Sequence, residues 1–199
     1  ADEMGLGKTL QVLSFLDANK GFGKTLVVCP ASLVYNWYQE VQKFAPDLKA
    51  VTIIGAAAER EDAMKQADQA DILITSYNLL KKDMEFYQDK TFTVEIIDEA
   101  QYIKNAGTMA SKAVKDINAK FRIALTGTPI ENRLSELWSI FDFIMPGFFF
   151  SYHRFRSTFE LPIIRDKDTY AELMLQKMIR PFVLRRLKKD VLKDLPAKV

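Results

Sequence analysis

The 199-residue chain carries a single cysteine, Cys29, and a single histidine, His153. One thiol excludes an internal disulfide framework and makes a reducing compartment the expectation. Without Cys and His at ligand spacing there is no zinc site to read either. Glycine and proline number 8 and 7, too few for a collagen-like or low-complexity chain. Long apolar runs are also missing. The richest stretch, Ile140 to Phe150, is interrupted by Asp142 and by Met145-Pro146-Gly147, so no membrane span and no membrane partner are expected. What remains is ordinary for a globular protein, 48% hydrophobic and 27% charged, and excludes a disordered tail. The net charge of +2 is unevenly spread: Arg180 to Val199 hold seven basic and two acidic residues, net +5, leaving −3 for the first 179. The C-terminal end is therefore the expected anion-facing part.

Apolar, β-branched runs alternate with helical patterns. Strands are expected at Thr25–Cys29, Ala50–Ile54, Asp71–Thr75, Phe92–Asp98 and Phe121–Thr126. Helices are expected from Ser32, as N-cap, to Phe44, and over 57–67, 78–87, 106–117 and 133–143. Such alternation predicts an α/β fold, a parallel sheet covered on both faces. Near Pro146-Gly147 the pattern turns aromatic and helical, with helices expected over 152–159, 169–179 and 182–192. The expected organisation is a sheet domain over 1–146 and a helical extension over 147–199. Cys29 falls in a predicted buried strand and reads as an inert core residue.

Three loops carry chemistry. Gly5-Leu6-Gly7-Lys8-Thr9 ends as a phosphate-binding loop does: glycines admit backbone N–H groups to phosphate oxygens, Lys8 reaches the phosphates, and the Thr9 hydroxyl ligates Mg²⁺. The strict pattern wants Gly at position 2, where this chain has Asp2, so the loop alone favours phosphate binding over a plain Gly-rich turn before a helix without deciding it. No residues precede it for the strand that normally feeds it, and the expectation is a piece of a longer protein that binds ATP weakly by itself. The second loop, Val94-Glu95-Ile96-Ile97-Asp98-Glu99, delivers two carboxylates at a strand end: Asp98 to hold Mg²⁺, and Glu99 to orient and deprotonate water. Adjacent strand residues point to opposite faces, so both serve only if the chain turns there. The third, Leu125-Thr126-Gly127-Thr128-Pro129, is singly an ordinary turn. Three phosphate-compatible loops at strand C-termini are a different matter, because open α/β sheets bind ligands there.

Taken in order, these motifs resemble those of the Swi/Snf-type helicase-like ATPases, the DNA translocases of helicase superfamily two. Asp2-Glu3-Met4-Gly5-Leu6-Gly7-Lys8-Thr9 is similar to their motif I, Asp included. Val28-Cys29-Pro30-Ala31-Ser32-Leu33 with Trp37 is similar to motif Ia, and Ile74-Thr75-Ser76-Tyr77 to motif Ib. Asp98-Glu99-Ala100-Gln101 resembles motif II, with Gln101 where many members have His. Leu125 to Asn132 and the helix through Trp138 resemble motif III, and Arg180-Pro181-Phe182 through Leu195-Pro196 the segment before the second lobe.

The resemblance implies a RecA-like first lobe that uses ATP and Mg²⁺. It implies catalytic roles for Lys8, Asp98 and Glu99, with Gly5, Gly7, Thr9, Gln101, Thr126 and Thr128 at the nucleotide. It further implies double-stranded DNA as partner, contacted by Ser32, Trp37, Thr75, Ser76, Tyr77, Arg185 and Arg186; read from the residues alone, Trp37 is equally a core position. A second RecA-like lobe carrying an arginine worth about 10³–10⁵ in rate is implied as well. RNA polymerase or another DNA-bound complex is an implied target, and a bacterial cytoplasm with its nucleoid the implied location (a nucleus, in a eukaryote). Two other readings stay open: a nucleotide-gated binding switch without translocation, and a P-loop nucleotidase acting on a non-nucleic-acid client.

Overall fold

The computed structural model describes residues 1–3, 5–127 and 134–186. The expectations for Met4, Thr128 and residues 187–199 lie outside the described residues.

Helix α1 (Lys8–Ala18) opens the fold, and strand β1 (Thr25–Cys29) follows, fully buried because both faces are covered. A 3₁₀ turn (Ala31–Leu33) leads into α2 (Val34–Phe44), whose Val34, Trp37 and Val41 recur at helical spacing and are buried. Next come β2 (Ala50–Ile53), α3 (Ala57–Gln66), β3 (Ile72–Ser76), α4 (Tyr77–Lys82) and α5 (Met84–Gln88). After β4 (Thr91–Ile97) a 3₁₀ turn (Ala100–Ile103) precedes α6 (Met109–Lys115), β5 (Asn118–Ala124) and α7 (Leu134–Ile144). The described strands form one parallel sheet in the order β2-β3-β1-β4-β5.

Alternation along each strand divides the core in two. Leu26, Val28, Leu73 and Ile97 pack with Tyr77, Leu80, Val114 and Phe143 on one face. Val27, Cys29, Ile74 and Ile96 pack with Leu13, Leu16, Trp37 and Val41 on the other. A third cluster joins Leu137 and Phe141 of α7 to Phe149, Phe155, Phe159 and Leu175. The last four come from the helical extension, which contains α8 (Tyr152–Phe155), a π-helical turn (Arg156–Glu160), α9 (Leu161–Arg165) and α10 (Thr169–Ile179). Of the consecutive Phe148, Phe149 and Phe150, the first two pack in this cluster. Phe150 instead is 57% exposed at φ 58, with the Arg154 guanidinium 4.0 Å over its ring.

Several expected elements need correction. The helix expected over 78–87 is two helices, because Asp83 leaves helical geometry (φ −108, ψ 24) where its carboxylate takes two bonds from Arg60, at 2.7 and 2.8 Å. Ser32 does not cap α2. It lies inside the 3₁₀ turn, and the position before α2 is Leu33, with no side-chain cap. Strand β5 starts three residues earlier than expected, since Asn118 is in register with Thr91 and the two side chains hydrogen-bond at 3.0 Å. The helix expected over 182–192 is absent from its described part. After a 3₁₀ turn (Arg180–Phe182), Val183 is extended at φ −118 and residues 183–186 run back to the loop before α1.

Candidate functional site

In a parallel sheet every strand presents its C-terminal end at the same edge, so the loops after β1, β3, β4 and β5 share one rim. The Gly-rich loop joins that rim through the start of α1. Gly5 and Gly7 have φ of 83 and 73, a left-handed conformation that L side chains rarely adopt, and Gly7 is the N-cap of α1 with no side chain on the helix's free N–H groups. An uncapped helix start of this kind is an anion seat. The Lys8 ammonium donates to the Asp2 carbonyl at 3.0 Å.

The turn that two adjacent carboxylates require is present. Strand β4 ends at Ile97, and Glu99 sits at φ 53, ψ 57, swinging the chain into the following 3₁₀ turn. Asp98 is 8% exposed. Its Oδ2 accepts from the Trp37 indole N–H at 2.9 Å and its Oδ1 from the Glu99 backbone N–H at 2.8 Å. Burial pushes the Asp98 carboxyl above the usual carboxylate range. The Trp37 and Glu99 hydrogen bonds pull it down, the Glu99 charge raises it, and the nearby Lys8 charge lowers it. Lys8 also shares a cavity at this rim with Thr126. Beside it, Gln101 Nε2 donates to Glu99 Oε2 at 2.7 Å, while Gln101 Oε1 accepts from the Thr126 hydroxyl at 3.3 Å. Gln101 thus joins the acidic strand end to the loop after β5.

Chemically, the uncapped helix start with Lys8 suits a phosphate group. The Thr9 hydroxyl and Asp98 carboxylate suit a hard divalent cation, which commonly takes one or two carboxylates and completes its shell with phosphate and water. Among the described residues no group of three or more His, Cys, Asp or Glu is placed to hold a metal ion. Burial raises the Cys29 thiol to about 12, so it stays protonated and inert. A cavity of about 230 Å³ opens beside this rim, lined by Lys8, Gln11, Ile123, Thr126 and Phe141. A second cavity, of about 330 Å³, lies at the opposite ends of the strands, between Phe15, Leu16, Ile72, Val94 and Phe121, away from these groups.

The expected DNA-contacting side chains fare differently, and four need correction. Trp37 is 1% exposed and committed to Asp98. Thr75 is fully buried with its hydroxyl on the Ile53 carbonyl, 3.0 Å away. Ser76 Oγ caps α4 by accepting from the Leu79 N–H, and Tyr77 donates its hydroxyl to the Asp98 carbonyl at 2.8 Å. These side chains are buried and engage the protein's own groups, Trp37 a carboxylate and the other three backbone. Arg186 keeps an exposed part, but its guanidinium and its backbone N–H both bind the buried Asp2 carboxylate, while its carbonyl accepts from Glu3 N–H at 3.2 Å. That pairing holds the Asp2 carboxyl well below its ordinary value. Ser32 and Arg185 remain exposed.

Two links were missed in the sequence. A Trp at a buried helix position needs an acceptor for its N–H, which is a signal for Trp37 but not for its partner 61 residues away. The Asp at position 2, which breaks the strict phosphate-loop pattern, was the available sign of the Arg186 pairing.

An all-parallel sheet with an uncapped glycine loop and a turned acidic strand end on one rim defines a RecA-like lobe. The chain belongs to the SNF2-related domain family, whose profile matches residues 1–199. It is 42% identical over 206 residues to YwqA of Bacillus subtilis, described as an ATP-dependent helicase/translocase, and 37% identical over 224 residues to the TATA-binding protein-associated factor MOT1 of Saccharomyces cerevisiae. All of the chain is covered in both matches, but it spans 22% and 12% of those relatives' lengths. The SWI2/SNF2 ATPase core of Sulfolobus solfataricus, solved with double-stranded DNA, superposes with a TM-score of 0.87. It is 42% identical, and the match covers 98% of this chain and 42% of that one.

Proposed function

We propose that residues 1–146 form the first ATP-binding lobe of a DNA-stimulated ATPase that moves along double-stranded DNA, with residues 147–199 leading toward a second lobe. The observation that carries this reading is that Lys8 and Thr126 line one cavity at the rim, while Gln101 links Thr126 to Glu99, the residue after the buried Asp98. When ATP arrives, Lys8 exchanges the Asp2 carbonyl for phosphate oxygens, and the N–H groups at the start of α1 receive the remaining phosphate charge. Thr9 and Asp98 hold Mg²⁺. Bound Mg²⁺ supplies neutralisation of phosphate charge. Glu99 orients the attacking water and accepts its proton. Gln101 fixes the Glu99 carboxylate and connects it to Thr126 and the loop beyond.

The DNA part of this reading draws on the family and on the double-stranded DNA in the Sulfolobus structure. On this chain it falls to Ser32, to backbone donors of the loops after β1 and β3, and to Arg185. Phosphate contacts of that kind read no sequence. Remodelling of protein–DNA complexes is the proposed outcome of the movement; the MOT1 relative is named for its association with the TATA-binding protein.

The test is turnover of the full-length protein with and without double-stranded DNA, beside a Glu99→Gln variant. DNA should stimulate hydrolysis, and Glu99→Gln should lower kcat by about 10²–10⁴ while ATP still binds. Stimulation without displacement of a triplex strand would replace the motor with a nucleotide-gated switch. Turnover indifferent to DNA would point to a nucleotidase with another client.

A further inference from the structure

We propose that Trp37 and Tyr77 are positioning residues for Asp98, holding its carboxylate in the orientation that receives a divalent cation; this rests on the nucleotide-site reading above. All four hydrogen-bonding groups of Asp98 are engaged. Its backbone N–H donates to the Val28 carbonyl at 2.8 Å, and its carbonyl accepts the Tyr77 hydroxyl at 2.8 Å. Its Oδ2 accepts the Trp37 N–H at 2.9 Å and its Oδ1 the Glu99 N–H at 2.8 Å. Both aromatic donors are buried, Trp37 at 1% and Tyr77 at 3% exposure.

They reach Asp98 from opposite layers. Trp37 stands on α2 and packs with the core on one face of the sheet, and Tyr77 begins α4 and packs with the core on the other. Asp98 lies one residue past the end of β4, where the ladder stops and the left-handed turn at Glu99 begins. One backbone bond, to Val28, still holds the chain there, and two side-chain donors on separate helices add to it.

The chemistry of the donors distinguishes positioning from neutralisation. Each carboxylate oxygen has two lone pairs, and here each accepts one N–H, which leaves one lone pair per oxygen. Neither donor carries a charge. The carboxylate is therefore oriented without being cancelled, which is what an outer-shell partner of a metal ligand does. A guanidinium in place of the indole would hold Asp98 equally firmly and would oppose a cation. Tyr77 also stacks on Tyr102 at a centroid distance of 5.1 Å, so its ring is braced where its hydroxyl meets the Asp98 carbonyl.

The experiment measures Mn²⁺ binding to the full-length protein with a non-hydrolysable ATP analogue, by the electron paramagnetic resonance of free Mn²⁺. Nucleotide binding in EDTA is measured in parallel. Trp37→Phe keeps an aromatic ring and removes the donor together with part of the buried ring volume. It should weaken Mn²⁺ binding about 10-fold or more, leave metal-free nucleotide binding unchanged, and keep the thermal unfolding transition cooperative. Tyr77→Phe should weaken Mn²⁺ binding in the same direction by less, and it carries the test should Trp37→Phe fail to fold. Folded variants that bind Mn²⁺ as the parent does overturn the positioning role while leaving the site intact. If Asp98→Asn also leaves Mn²⁺ binding unchanged, the nucleotide-site reading itself falls.

Discussion

Strand β4 and the residue that follows it carry two buried carboxylates three residues apart, and they are treated in opposite ways. Glu95, mid-strand and fully buried, faces the Arg122 guanidinium at 3.1 Å, and Arg122 in turn donates to the carbonyls of Lys115, Ile117 and Phe143. Asp98, at the strand's end, receives only neutral N–H donors. Glu95 has a permanent cation and Asp98 has none in contact. A carboxylate built for the fold is compensated within the fold; one built for a ligand is oriented and left uncompensated. Desolvation is the first cause of the raised pKa in both, and at Glu95 it outweighs the guanidinium, pushing the group to about 8.

The comparison breaks most readily at Arg122. Arg122→Leu removes the partner of a buried acid and leaves three backbone carbonyls without their donor, at an expected cost of about 3–5 kcal/mol. Urea unfolding measures it. A loss below about 1 kcal/mol would mean the pair does not anchor β5 to β4.

A pH series sharpens the same contrast. The Glu95 pKa lies above its ordinary 4.5 in the folded protein, so the folded state holds a proton that the unfolded chain releases. Its contribution is fully present below about 4.5, declines as pH rises, and is gone above about 8. One such group gives a slope of at most about 1.4 kcal/mol per pH unit. Glu95→Gln should flatten the stability profile between pH 5 and 8, as read from denaturant midpoints. An unchanged slope would assign the pH dependence to other groups.

The smallest effect on folding belongs to the rim. Gln101→Leu removes one link to Glu99 and one to Thr126 and should cost about 1 kcal/mol of stability, with its main effect in DNA-stimulated turnover of the full-length protein. A stability loss as large as that of Arg122→Leu would erase the distinction between the two ends of β4.

Much of this contrast could be read along the chain, and some of it could not. β-branched runs located the strands because a parallel sheet buries both faces, and α10 spans the predicted 169–179. The acid pair at the end of β4 was visible as a pattern, and so was the need for a turn there. What stayed hidden depends on partners distant in sequence. Arg60 breaks the helix at Asp83 from 23 residues away, and Arg186 reaches Asp2 across 184. The hydroxyls of Thr75, Ser76 and Tyr77 looked like surface donors because their type and order fit that role. Only the packing reveals that neighbouring backbone already consumes them.

The left-handed backbone at Glu99 complicates how any substitution series at that position is to be interpreted. Gln keeps side-chain length and gives up only the acid, so its kinetics speak to proton transfer. Val or Ile also introduces a β-branch where φ is 53, a strain of about 1–3 kcal/mol, and its phenotype would mix conformational penalty with lost chemistry. Gly relieves the backbone while deleting the side chain, so a Gly variant of unusually high thermal tolerance and no turnover would reveal how much stability the native glutamate sacrifices.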